Sequence, residues 1–197
     1  MKLLLATTNS NKVREVMPLV AYVDGIEWLT LADVPPIPEP AESGSTYWEN
    51  AREKALAYAR ASGLTVVAED SGFEVDALDG IPGVHSARFL GANVSYPDRF
   101  VEIKKRLAAE GTTNLDARFV TALAVARGEE ILFETEASIE GLVADVAKGD
   151  KGFGYDPLFF YTPQGKTTGE LTTEEKGAVS HRGRAFRDFA RWLAARK

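Results

Sequence analysis

The sequence predicts an α/β fold, and three observations predict it. Short apolar runs suited to buried strands recur at 2–6, 64–68 and 118–126. Between them lie stretches with helical spacing and recognisable start and stop residues. One apolar run ends abruptly in two acids, Glu69-Asp70, as strands of open α/β sheets do where they meet a ligand.

Taken in order, residues 2–6 are apolar, Thr7-Thr8-Asn9-Ser10-Asn11 breaks the run with small polar groups, and helix formers follow from Lys12 to Val20. That is strand, turn, helix. A second strand is expected near 26–31. From Val34 to Glu42, the prolines at 35, 36, 38 and 40 forbid regular structure and predict a stiff surface loop, either a linker or the rim of a site.

Thr46 and Glu49 have capping-box spacing. Tyr47, Ala51, Ala55, Tyr58 and Ala59 then recur at helical intervals until Gly63 supplies a stop. The run at 64–68 predicts a buried strand that delivers Glu69 and Asp70 at its carboxyl end. Ser95, Pro97 and Asp98 open another helix, with Phe100, Ile103 and Leu107 on its apolar face and Gly111 closing it. Residues 118–126 and 131–139 read as two strands joined through Gly128-Glu129-Glu130 as a hairpin. A glycine-rich loop covers 149–156, and Ala185, Phe186, Phe189, Trp192 and Leu193 give the last helix its stripe. With no repeat and no low-complexity tract, the 197 residues are read as one folded unit.

Composition narrows the chemistry. The 23 Lys and Arg against 29 Asp and Glu leave a net charge of -6, so no general cationic surface exists to hold nucleic acid or an anionic membrane. Cys is absent, and the two histidines, His85 and His181, are far apart, so a metal would have to sit on oxygen. No apolar run is long enough for a signal peptide or a membrane span, which makes the cytoplasm the expected compartment. Gly165-Lys166-Thr167 imitates the end of a P-loop, but the leading glycine would fall on Phe160.

Four segments could carry chemistry. Thr7, Thr8, Asn9, Ser10, Asn11 and Lys12 gather amides, hydroxyls and an ammonium at a helix start, either a phosphate site or an N-capping turn. Glu69 and Asp70 would repel each other unless a cation compensates them, and Mg²⁺ suits Asp70 with a second acid, Glu42, plus phosphates and water; the alternative is acids facing solvent. Phe153, Gly154, Tyr155, Asp156 and Pro157 form either a base-stacking segment with an acid to read the base edge or a turn pinned by aromatic packing. Ser180-His181-Arg182 could donate to a purine carbonyl or simply begin a helix, and Lys54 and Lys176 are either ligands or surface lysines.

Together, ATTNSNKVRE, GSTYWENAREKA, AEDSGFEVDALDGIPGVHSARF, KGFGYDPLFF and LTTEEKGAVSHRGRAF resemble the inosine triphosphate pyrophosphatase family, the XTP/dITP diphosphatases, over nearly the whole chain. The resemblance implies an elongated mixed sheet flanked by helices, two lobes with the active-site cleft between them, and a homodimer. It implies hydrolysis of inosine, deoxyinosine and xanthosine triphosphates to the monophosphate and pyrophosphate, with one Mg²⁺ per site and Mn²⁺ as the alternative.

By residue, it implies Thr7, Asn9, Lys12 and Lys54 on the triphosphate, Glu42 and Asp70 on the metal, and Asp70, or Glu69 beside it, as proton acceptor. Ser71 touches substrate, and Phe153, Gly154, Tyr155, Asp156, Lys176, His181 and Arg182 form the base pocket. The family often has two aspartates where this chain has Glu69-Asp70. On this reading Arg182→Ala raises KM more than it disturbs stability. Two alternatives stand beside it: a pyrophosphatase for other modified bases, and a sensor that binds a purine triphosphate without cleaving it, against which the paired acids speak.

Overall fold

The computed structural model describes residues 1–21 and 23–196. Among these, eight strands form one mixed sheet: β1 (Lys2–Leu5), β2 (Glu27–Thr30), β3 (Thr65–Val75), β4 (Pro82–Gly83), β5 (Asp116–Arg127), β6 (Glu130–Val143), β7 (Phe159–Tyr161) and β8 (Lys166–Thr167). Their order is β2-β1-β3-β5-β6-β7-β8, with β4 beside β3. β1 runs parallel to both neighbours, Leu4 standing opposite Leu29 and Val66, whereas β3/β4, β6/β7 and β7/β8 are antiparallel. The α-helices are α1 (Ser10–Val20), α2 (Tyr47–Ser62), α3 (Tyr96–Glu110), α4 (Thr173–Val179) and α5 (His181–Ala194). No helix among the described residues is long and apolar enough to cross a membrane.

The capping signals act as the sequence predicts. Thr46 Oγ1 accepts from the Glu49 amide at 3.1 Å, Glu49 Oε2 accepts from the Thr46 amide at 3.2 Å, and Gly63 ends α2 at φ 69°. Ser95 caps α3 and Gly111 closes it at φ 62°. Residues 36–44, which include Pro36, Pro38 and Pro40, lie in neither helix nor strand.

Several boundaries differ, and one helix is new. α1 starts at Ser10 rather than Lys12, because Asn9 Oδ1 accepts from the Asn11 and Lys12 amides at 3.0 and 3.4 Å. α4 was not expected; Thr172 and Glu175 give it a capping box of its own. β3 does not stop at the two acids. Its pairing with β1 ends at Leu5 opposite Val67, but Phe73 and Glu74 then pair with β4, so Glu69 and Asp70 lie mid-strand instead of at a carboxyl end.

The chain divides into two compact units. The first holds Met1–Asp70, Thr121–Ala137 and the chain from His181 onward; the second holds Ser71–Val120 and Ser138–Ser180. In the first, α1 supplies Val16 and Val20 and α5 supplies Ala185, Phe186, Phe189 and Leu193 to a core completed by Leu3, Leu5, Val67, Leu123 and Val125. Trp28 meets Phe189 edge-on at 6.0 Å. The second has its own core, in which α3 places Phe100, Ile103 and Leu107 against Phe73, Phe119, Ile139 and Phe159.

Candidate active site

Most of the candidate residues fall in the first unit, where the period-two geometry of a strand decides their roles. Adjacent side chains of β3 point to opposite faces, so Glu69 and Asp70 make different side-chain hydrogen bonds, although Lys12 and Lys54 act on both charges. Glu69 is 3% exposed and fully engaged. Its carboxylate accepts from Arg182 Nε at 2.7 Å and from Thr121 Oγ1 at 2.8 Å, and Lys12 Nζ lies 3.4 Å away. Arg182 in turn donates through an outer nitrogen to Glu15 Oε2 at 2.6 Å. Burial pushes the Glu69 pKa up, but Arg182 and Lys12 outweigh it and hold the carboxyl well below its ordinary value.

Asp70 is the opposite case. It is 6% exposed, and Asn50 Nδ2 donates to its Oδ2 at 3.0 Å. Burial raises its pKa; Lys54, Lys12 and Asn50 oppose, Glu42 adds to the rise, and the net direction is up. Lys54 Nζ pairs with Glu42 Oε1 at 2.5 Å and donates to the Glu69 carbonyl at 3.2 Å. Lys12 has the mirror-image problem. Burial lowers its pKa most, Lys54 and Arg182 add to that, and the opposing Glu69 and Asp70 do not restore it.

In the structure the turn at 7–12 is an N-capping turn. Asn9 caps α1 and thereby takes two of the amides that a phosphate would have used. Thr7 Oγ1 accepts from the Asn9 amide at 3.2 Å, Thr8 Oγ1 donates to Glu39 at 3.0 Å, and Asn11 Oδ1 accepts from Arg14 at 2.9 Å. Ser10 opens the helix, and Lys12 reaches Glu69. His181 is buried at the start of α5.

In the second unit, Phe153, Asp156 and Lys176 come together. Asp156, buried, accepts from the Phe153 amide at 2.7 Å, Thr168 Oγ1 at 2.9 Å and Lys176 Nζ at 2.5 Å. Three donors hold the carboxylate, which thereby ties the loop together. Lys176 Nζ also lies 5.1 Å from the centre of the Phe153 ring. Tyr155 belongs to the core: it stacks on Phe73 at 5.0 Å and donates to the Ser86 carbonyl at 3.1 Å, which leaves Phe153 as the half-buried aromatic of the segment. Gly154 sits at φ 67° and Ser71 is half-buried on β3.

Gly152 makes this loop feasible, since it adopts φ +74° and a Cβ there would lie 2.2 Å from Asp156 Oδ2. Gly152→Ala is expected to lower stability by about 2 kcal/mol or more in chemical denaturation, from left-handed strain and loss of the Asp156 contact. A change below about 0.5 kcal/mol would show the loop to be adjustable.

Glu15, Asn50 and Thr121 were missed from sequence. Asn50 left a usable signal, because it and Lys54 are polar residues set one turn apart on the otherwise apolar face of α2. Glu15 and Thr121 left none, since their respective partners, Arg182 and Glu69, lie far from them in sequence.

As to a metal, no cluster of three or more His, Cys, Asp or Glu side chains exists among the described residues. Two carboxylates do: Glu42 and Asp70 both act on Lys54, and each raises the other's need for positive charge. That donor set fits a hard cation that completes its shell with water and phosphate oxygens.

Residues 3–192 match the Ham1 family. A dITP/XTP pyrophosphatase from Syntrophobacter fumaroxidans is 44% identical, covering 98% of this chain and 85% of that protein. Another from Exiguobacterium sp. is 45% identical over 95% of this chain and 94% of its own length. Among solved structures, a HAM1 protein from Coxiella burnetii superposes with a TM-score of 0.89 at 33% identity, covering 99% of both chains. The Staphylococcus aureus Ham1 protein gives 0.88 at 32% identity over the whole of both.

Proposed function

The chain belongs to the Ham1 family, and from that premise we propose that it hydrolyses noncanonical purine nucleoside triphosphates, those of inosine, deoxyinosine and xanthosine, to the monophosphate and pyrophosphate. One observation carries the reading on physical grounds. The first unit holds a buried carboxylate, Asp70, whose pKa burial raises despite Lys54 and Lys12, beside a buried ammonium, Lys12, whose pKa burial lowers despite Glu69 and Asp70. A cation-bound polyphosphate corrects both at once.

The residues divide the work. Lys12 and Lys54 spread the charge that develops on the phosphoryl oxygens and the departing pyrophosphate. The hydroxyls of Thr7, Thr8 and Ser10, with Asn9 and Asn11, shape the turn around the phosphates. Asp70 accepts the proton of the water that attacks the α-phosphorus, as the bond to the bridging oxygen of pyrophosphate breaks. Glu69, locked in its ionised form, steadies Lys12 and Arg182. Asp70 and Glu42 would hold a divalent cation, Mg²⁺ first and Mn²⁺ as the alternative, which would supply Lewis-acid polarisation of the phosphate.

In the second unit, the Phe153 face and the Lys176 ammonium form the candidate base-recognition surface, with Ser71 as a further substrate contact; His181 is the remaining candidate donor to a base carbonyl. Donors placed for a 6-oxo group are left unpaired by the 6-amino group of adenine, at a cost of roughly 1–3 kcal/mol, which disfavours ATP. The same reading includes a homodimer working in the cytoplasm.

The test is pyrophosphate release from a panel of common and deaminated nucleoside triphosphates, with and without Mg²⁺. Release from inosine and xanthosine triphosphates at least about tenfold faster than from ATP, and only with the cation, is expected. Intact deaminated substrates under every ion would overturn the proposal.

A further inference from the structure

Asn50 is buried on α2, one turn before Lys54, and its side-chain amide is engaged at both ends. Oδ1 accepts the Gly44 amide hydrogen at 2.8 Å, and Nδ2 donates to Asp70 Oδ2 at 3.0 Å. The first contact dictates the second. A backbone N–H at Gly44 requires the carbonyl oxygen of the side-chain amide, so its NH₂ group must face the carboxylate.

Gly44 is what permits the approach, because a Cβ there would lie 2.7 Å from Asn50 Oδ1 and 2.6 Å from Glu49 Cβ. It also stands two residues after Glu42, whose carboxylate meets Lys54. One amide therefore joins the Pro-rich loop to the reactive acid. An aspartate rotates about its last torsion in a broad, roughly two-fold well, so a lone carboxylate would sample many orientations.

We propose that Asn50 is a positioning residue for the hydrolytic step: its NH₂ group fixes one oxygen of Asp70, leaves the other to the water and the cation, and ties that orientation to the loop bearing Glu42. The inference rests on Asp70 as the proton acceptor. It goes beyond that assignment by naming what aims the acid.

Two variants separate positioning from mere support. Asn50→Asp keeps the shape and the acceptor for the Gly44 amide, but loses the donor toward Asp70. Asn50→Ala loses both contacts. Asn50→Asp is expected to lower kcat for inosine triphosphate about 100-fold, at least as far as Asn50→Ala. KM should change less than about threefold, because the loss falls on the reacting geometry and not on uniform binding.

In an Asp70→Asn background, with residual turnover read at high enzyme concentration, neither substitution should cost more, since Asn50 acts through Asp70. Near-normal kcat for Asn50→Asp beside a slow Asn50→Ala would reduce Asn50 to a loop tether and overturn the proposal. Fully additive losses in the Asp70→Asn background would overturn it as well. A wild-type protein that releases no pyrophosphate would instead bring down the reaction assignment, and this inference with it.

Discussion

Asp70→Asn should lose roughly 10²- to 10⁴-fold in turnover while keeping or gaining stability. The amide is nearly isosteric with the carboxylate and still offers an oxygen to Asn50 Nδ2, so the contact at 3.0 Å survives. What goes is the proton-accepting charge and a ligand for the cation. The stability side follows from linkage. Burial leads the causes that raise the Asp70 pKa, so at neutral pH its ionised form is less favourable in the folded chain than in the unfolded one. Neutralising it removes that penalty. Pyrophosphate release at saturating Mg²⁺, measured beside a thermal melt, checks both halves. Near-normal release would remove Asp70 from the mechanism, and a lower melting temperature would contradict the electrostatic account.

Arg182→Ala is expected to do the reverse, costing about 3–5 kcal/mol of stability, a large share of what a domain possesses. The sequence-based expectation was a raised KM with little structural effect, on the view that Arg182 faces a base. The structure adds a structural role that this expectation left out. Arg182 is 2% exposed and bridges Glu69 and Glu15 at 2.7 and 2.6 Å, so its removal takes a buried cation from two carboxylates, one of them only 3% exposed.

Acid sensitivity gives a second reading of the same pair. Glu69 has its folded pKa depressed, chiefly by Arg182 against the opposing effect of burial. Its contribution is thus fully present above the ordinary value of 4.5 and is lost as pH falls through the lower folded value. Without Arg182 that depression shrinks, and the acid unfolding transition, followed by circular dichroism, should move to higher pH. A melt and an acid transition like the wild type's would return Arg182 to a solvent-facing role.

Local physics made much of the fold legible. The Thr46/Glu49 box and the Gly63 and Gly111 stops depend on neighbours a few residues away, and each is found where spacing put it; the hairpin expected through 128–130 is found too, with Glu130 already in β6. The end of β3 was misread because its continuation depends on β4, a two-residue strand with no period to detect. Lys12, Lys54, Glu42, Glu69 and Asp70 were all named from sequence, and the first unit brings them together. Their division of labour was not legible. Whether an acid is anchored or poised depends on Arg182, Thr121 and Asn50, which lie 113, 52 and 20 positions from the acids they serve.

Because Glu69 and Asp70 occupy consecutive positions of one strand, the alignment of β3 on β1, Leu5 against Val67, decides which acid is which. A slip by a single residue would turn every side chain of β3 over. The glutamate would then turn toward the side of Asn50 and the aspartate toward the side of Arg182 and Thr121, leaving a protein with unaltered composition and its two acids exchanged. The hydrophobic residues that lock this strand in place, Val66 and Val67 among them, thereby guard catalysis from a distance, with no atom of their own in the reaction.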